Sequence, residues 1–132
     1  MKKDTNIIGI DRGSKYIGLA YMSLESRIPM PIGYILNDHM TMPTLADMVT
    51  RYHAKAIIVG YPQRQKDIQA KIDGFVKSLK YMINPDIIIE YIDEDYSSVQ
   101  AGEMISDFKK GAATDTVSAM LLLERWDAQN KK

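Results

Sequence analysis

At 132 residues the chain fits a single domain, expected to span residues 1–132, and is long enough to bury about two-thirds of the surface its unfolded form exposes. It is 45% hydrophobic and 26% charged, and no apolar run approaches the ~20 residues of a membrane helix, so a soluble domain with no membrane partner is expected. Seventeen basic residues cancel seventeen acidic ones, which leaves no whole-molecule attraction for a polyanion, and nucleic-acid binding would have to rest on a local patch. The opening MKKDTN carries two lysines but leads into no signal-peptide apolar stretch; with no cysteine in the chain, a cytoplasmic setting is the expectation.

In chain order, strands come first. Asn6 to Ile10, Ile17 to Ser23 and Ile32 to Leu36 are short apolar runs separated by the turn-forming DRGSK and the proline-bearing SRIPMP, which predicts a three-stranded meander. Thr44 is placed to cap a helix carrying Leu45, Met48, Val49 and Tyr52 at helical spacing, and AIIVGYP (Ala56 to Pro62) is apolar enough for a buried parallel strand. A stripe of Ile68, Ile72, Phe75, Val76, Leu79 and Met82 predicts a long helix ended by Asn84 and Pro85, before a second buried strand from Ile87 to Asp93. Ser97 or Ser98 can cap a further helix with Ala101, Met104, Ile105 and Phe108 inward. The last helix is predicted from about Asp115 to Gln129, with Val117, Met120 and Leu121 on the sheet, Leu122 and Leu123 widening the apolar face, and Glu124 reaching water. The resulting βββαβαβα order is an α/β domain with a mixed five-stranded sheet, three antiparallel strands followed by two parallel ones, flanked by helices.

Acids gather at the ends of these elements. Asp11 follows the first strand, Asp93, Glu94 and Asp95 follow the last, and Asp115 begins the final helix. If the first and last strands end side by side beneath a helix N-terminus, three carboxylates converge. Crowded carboxylates repel one another, and the usual relief is a hard divalent cation, Mg²⁺ or Mn²⁺. Two such ions about 4 Å apart can activate a water and stabilise the leaving oxygen of a phosphodiester. Asp11 also reads as a turn-forming residue, and the later acids as a solvated helix entry favoured by the helix dipole. Gly9, Gly13 and Gly18 suit turns and close strand packing, and Lys15 suits a surface position. The chain carries no zinc-type ligand spacing and no phosphate loop.

Four stretches together resemble one family. GIDRGSKYIGLA is similar to the opening of the YqgF family, the Holliday-junction-resolvase-like proteins of the RNase H-like superfamily. AIIVGYP, DEDYSSVQA and ATDTVSAMLLLERW resemble that family's later motifs, in the same order across nearly the whole chain. The resemblance implies an RNase H-like fold and a divalent-metal nuclease. It further implies maturation of the 5′ end of 16S rRNA from its precursor, with Holliday junction resolution as the older proposal. By matched position it implies Asp11, Glu94 and Asp115 as catalytic, metal-binding acids.

The chain also departs from the pattern. Asp95 stands where the family has an arginine, Arg12 occupies a commonly apolar or aromatic position, and QRQKDIQAK replaces a polar loop. Positive charge around the acids would come from Arg12, Lys15, Arg64, Lys66, Lys109 and Lys110. A nucleic-acid-binding module without cleavage is the second reading, favoured by Asp95 and the neutral net charge. A nucleotide-binding fragment of actin-like type is the third, and a single lobe argues against it. The resemblance implies precursor rRNA or branched DNA as the nucleic-acid partner; trimming RNA suits a monomer, whereas paired cuts in a junction suit a homodimer.

Overall fold

The computed structural model describes residues 5–93 and 112–130. Strands β1 (Asn6–Arg12), β2 (Tyr16–Ser23) and β3 (Pro29–Leu36) form the antiparallel meander. Helix α1 (Thr41–Arg51), strand β4 (Ala54–Tyr61), helix α2 (Lys66–Met82) and strand β5 (Ile88–Asp93) follow, and helix α3 (Ala112–Asn130) closes the described chain. The sheet runs β3-β2-β1-β4-β5, with β1, β4 and β5 parallel, so their C-terminal ends share one edge. This is the mixed sheet expected from the apolar runs, except that the last strand, expected to be buried, is the edge strand β5 with only Ile92 buried, because among the described residues no strand pairs beyond it. The helix expected after Ser97 or Ser98 lies outside the described residues.

Side-chain alternation along the strands divides the core in two. On one face Ile8, Ile10, Leu19, Ile57 and Val59 pack under α1 and α2 with Leu45, Ile72, Phe75 and Leu79. On the other, Ile7, Ala20, Met22, Ile58 and Ile92 pack under α3 with Ala119, Leu122 and Leu123. Among the described residues, no helix is long and apolar enough to cross a membrane.

Three local expectations are corrected. Helix α1 begins at Thr41 and not behind a Thr44 cap, because the Asp38 carboxylate accepts from the Met40 N–H while the Thr41 hydroxyl accepts from Asp38 N–H and donates to the Leu36 carbonyl. Those bonds fold the chain one turn earlier, and Pro43 is tolerated in a first turn whose N–H groups have no helical acceptor. In α2 the stripe stops at Leu79, and Met82 is exposed. In α3 the sheet-facing residues are Ala119, Leu122 and Leu123, with Ser118 also buried, while Val117, Met120 and Leu121 are half-exposed. Glu124 does reach water. The rotation has a cause in the sheet. A Cβ on Gly9 would come within 2.8 Å of Leu123 Cγ and 2.9 Å of the Ala119 carbonyl, so the helix face that fits is the one that nests against a strand without a side chain.

Candidate active site

Strand β1 continues through Asp11, which is not the turn residue that follows it: Asp11 pairs with Gly18 of β2 and is buried, 5% exposed. Alternation from Ile7 and Gly9 puts its side chain on the α3 face. A carboxylate buried at the last rungs of a strand is costly unless something satisfies its charge. That cost separates Asp11 from a solvated turn residue.

What faces Asp11 is the first turn of α3. A Cβ on Gly18 would lie 1.9 Å from the Asp115 carbonyl oxygen, 2.1 Å from its carbon and 2.7 Å from Thr116 N. The backbone of Asp115 therefore rests directly on the strand position paired with Asp11. A Cβ on Gly13 would stand 3.5 Å from Asp115 Oδ2 and 3.8 Å from Oδ1, which places that carboxylate over the end of β1. Asp11 and Asp115 thus lie on one face of the sheet at its C-terminal edge. Two further bonds hold the helix start and the neighbouring strand end. Thr116 Oγ1 donates to the Gly33 carbonyl at 2.9 Å, at a glycine with φ of +134° beside a register shift in the β2–β3 pair. Arg125 Nη1 donates to the Asp93 carbonyl at 2.7 Å, tying the end of β5 to α3.

The other expected site residues are distributed as follows. Asp93 ends β5 opposite Tyr61, on the α2 face rather than the α3 face. Arg12 also turns to the α2 face, its guanidinium 5.8 Å from the Phe75 ring centroid and its Nε buried without a hydrogen-bond partner among the described residues. Lys15 is exposed in the β1–β2 turn, its ammonium 5.4 Å from the Tyr16 ring centroid. That turn is closed by Gly13 N–H to the Tyr16 carbonyl, 2.8 Å, and anchored by Asn37 Nδ2 to the Gly13 carbonyl, 2.9 Å. Arg64 and Lys66 are exposed at the β4–α2 connection, along the same sheet edge. Glu94, Asp95, Lys109 and Lys110 lie outside the described residues. Sequence reasoning did not single out Thr116 or Arg125, since one hydroxyl and one guanidinium on a helix give no signal before the strand ends are placed.

The chemistry of the two acids suits a hard cation. Among the described residues no three His, Cys, Asp or Glu side chains form a metal cage. Mg²⁺ is commonly held by only one or two carboxylates while keeping its waters, so Asp11 and Asp115 fit that ion better than one requiring an all-protein shell.

Comparison with known proteins gives consistent matches. A family model described as "RuvX: Holliday junction resolvase" matches residues 5–128. Proteins named "Putative pre-16S rRNA nuclease" are similar over most of the chain. The one from Sulfurihydrogenibium sp. is 29% identical, covering 92% of this chain and 89% of its own, and the one from Chlamydia caviae is 31% identical, covering 92% and 82%. In fold, the chain is similar to T. thermophilus RuvC in complex with Holliday junction substrate, with a TM-score of 0.59 at 12% identity, covering 96% of each chain. It is equally similar to the fowlpox virus resolvase in complex with Holliday junction DNA, with a TM-score of 0.59 at 18% identity, covering 96% and 99%. These likenesses establish an RNase H-like fold.

Proposed function

We propose that this chain, which belongs to the RuvX family of Holliday junction resolvases, is a divalent-metal-dependent nuclease that hydrolyses phosphodiester bonds in precursor 16S rRNA or in branched DNA. The observation that carries the reading is the seating of Asp115 on Gly18, opposite the buried Asp11. Its relatives' names support the RNA substrate and its structural neighbours support the DNA one.

Asp11 and Asp115 hold Mg²⁺ or Mn²⁺ at the edge of the sheet, with Glu94, directly after β5, as the third acid that the family resemblance implies. The ion, when bound, offsets phosphoryl charge and makes water a better nucleophile. Strand pairing fixes the backbone of Asp11 and the contact with Gly18 fixes that of Asp115, which limits how far either acid must move when substrate arrives. Arg12, Lys15, Arg64 and Lys66 line the same edge and neutralise phosphates flanking the scissile bond, and Lys110 joins them in the sequence-based reading.

The test is a cleavage assay on a 5′-extended rRNA fragment and on a four-way DNA junction, with Mg²⁺, Mn²⁺ or chelator. Cleavage of either that disappears with chelator supports the proposal. Binding of both without turnover in any metal, by folded protein, favours the non-cleaving nucleic-acid module instead.

A further inference from the structure

On the sheet face opposite the acids, two tyrosines are locked together beside the edge strand. Tyr61 of β4 and Tyr91 of β5 stack with centroids 4.3 Å apart and planes 26° apart. Both phenols donate to one carboxylate of α2, Tyr91 to Asp73 Oδ1 at 2.8 Å and Tyr61 to Asp73 Oδ2 at 3.2 Å. The rings are thereby oriented, yet Tyr91 remains 44% exposed on the outermost strand of the described sheet.

Asp73 also fixes which side of α2 faces β5. Lys66, Lys77 and Lys80 stand seven residues before it and four and seven after it, the spacing that shares one side of a helix, and all three are exposed. Over the 14 helical steps from Lys66 to Lys80 this row extends about 21 Å. Tyr81, 81% exposed, adds another ring four residues beyond Lys77. The row starts at the sheet edge that carries Asp11 and Asp115.

We propose that the α2–β5 groove is a binding track for single-stranded nucleic acid, whose bases stack on Tyr91 and whose phosphates meet the Lys66–Lys77–Lys80 row. Ring faces interleaved with cations are what an unpaired strand requires, since every base offers a π-face and every nucleotide a charge, whereas a duplex hides its bases. The track rests on the nuclease reading only for what arrives: it selects a substrate with a single-stranded extension beside the scissile bond over a fully paired one.

The experiment is fluorescence anisotropy in chelator, so that nothing is cleaved, with a labelled single-stranded RNA and its blunt duplex. The single strand should bind more tightly. Tyr91→Leu should weaken it by about 5- to 150-fold, the loss expected for one stacked base, while Tyr91→Phe, which keeps the ring and gives up the Asp73 bond, should stay near wild type. Lys77→Ala and Lys80→Ala should each lower the salt slope by about 0.7. Wild-type affinity in Tyr91→Leu, or unchanged salt slopes in both lysine variants, overturns the track. If Tyr91→Leu loses its fold, the lysine slopes decide. Metal-dependent cleavage with Tyr91-independent binding refutes the track and leaves the nuclease; Tyr91-dependent binding without cleavage in any metal supports the track and refutes the nuclease.

Discussion

Gly18→Ala is the sharpest perturbation of the site, because it shifts the helix start against the strand without altering either acidic side chain. The added Cβ would sit 1.9 Å from the Asp115 carbonyl, whereas real Cβ atoms essentially never come within 3.0 Å of such an atom, so helix and strand must separate by about 1.1 Å. Both sides of the contact are backbone, and no side chain can rotate away to relieve it. Overpacking of this kind costs about 1–3 kcal/mol. For a chain of this length that corresponds to a drop in melting temperature of roughly 3–15 °C. A displacement of about 1 Å at a reacting group costs on the order of 10²-fold in rate, so activity should fall further than stability explains. Gly9→Ala is the milder comparison: its Cβ would meet Leu123 Cγ at 2.8 Å and the Ala119 carbonyl at 2.9 Å, about 0.9–1.0 Å longer than the Gly18 contact, so it should cost less stability and less activity. Thermal melts and single-turnover cleavage of the three proteins check the argument. A Gly18→Ala protein with wild-type turnover would refute the claim that this contact seats Asp115.

Asp11→Asn should abolish turnover while the metal-free protein melts at or above the wild-type temperature, because one of two neighbouring carboxylates loses its charge; an unfolded variant would indicate a purely structural role. Arg27→Ala should lower stability by about 1–3 kcal/mol in urea unfolding, since it strands the Asp127 carboxylate, which is only 8% exposed, without its ion-pair partner. Burial first, then the hydrogen bond to Asp73, then the charge of Asp73, raises the Tyr91 phenol above its ordinary range, and Tyr61 is raised as well. With the folded value above the unfolded ~10, this contribution to stability is complete below about pH 10 and is lost as pH rises through the folded value. Phenolate absorbance should therefore appear late in wild type and earlier in Asp73→Asn. Asp95→Arg should tighten nucleic-acid binding and steepen its salt slope by about one to two phosphate contacts; an unchanged slope would place the substrate on another face.

The strands were legible because their cores are unbroken apolar runs: IIVG and IGLA are hard to place anywhere but in a buried sheet. The extent of β1 was not, because Asp11 and Arg12 are polar and pair with β2 only after the meander has folded. The buried face of α3 was also hidden. With apolar residues at 117, 119, 120, 121, 122 and 123, periodicity alone leaves the rotation open, and Gly9 and Gly18, far away in sequence on the paired strands β1 and β2, settle it by where they admit a backbone. Of the candidate acids, Asp11 and Asp115 could be named from sequence, but their proximity depends on that same helix contact. The Tyr61–Tyr91–Asp73 cluster left no trace in the sequence, since it requires the β4–β5 register and the α2 crossing together.

The central claim is that Asp11 and Asp115 jointly hold a divalent ion. Crystals soaked in Mn²⁺ and measured for anomalous scattering test it most directly, with Asp11→Asn and Asp115→Asn crystals alongside. The expected result is one or two peaks between the end of β1 and the first turn of α3, lost or weakened in each variant. A wild-type peak elsewhere, or a peak there that survives both substitutions, would contradict it.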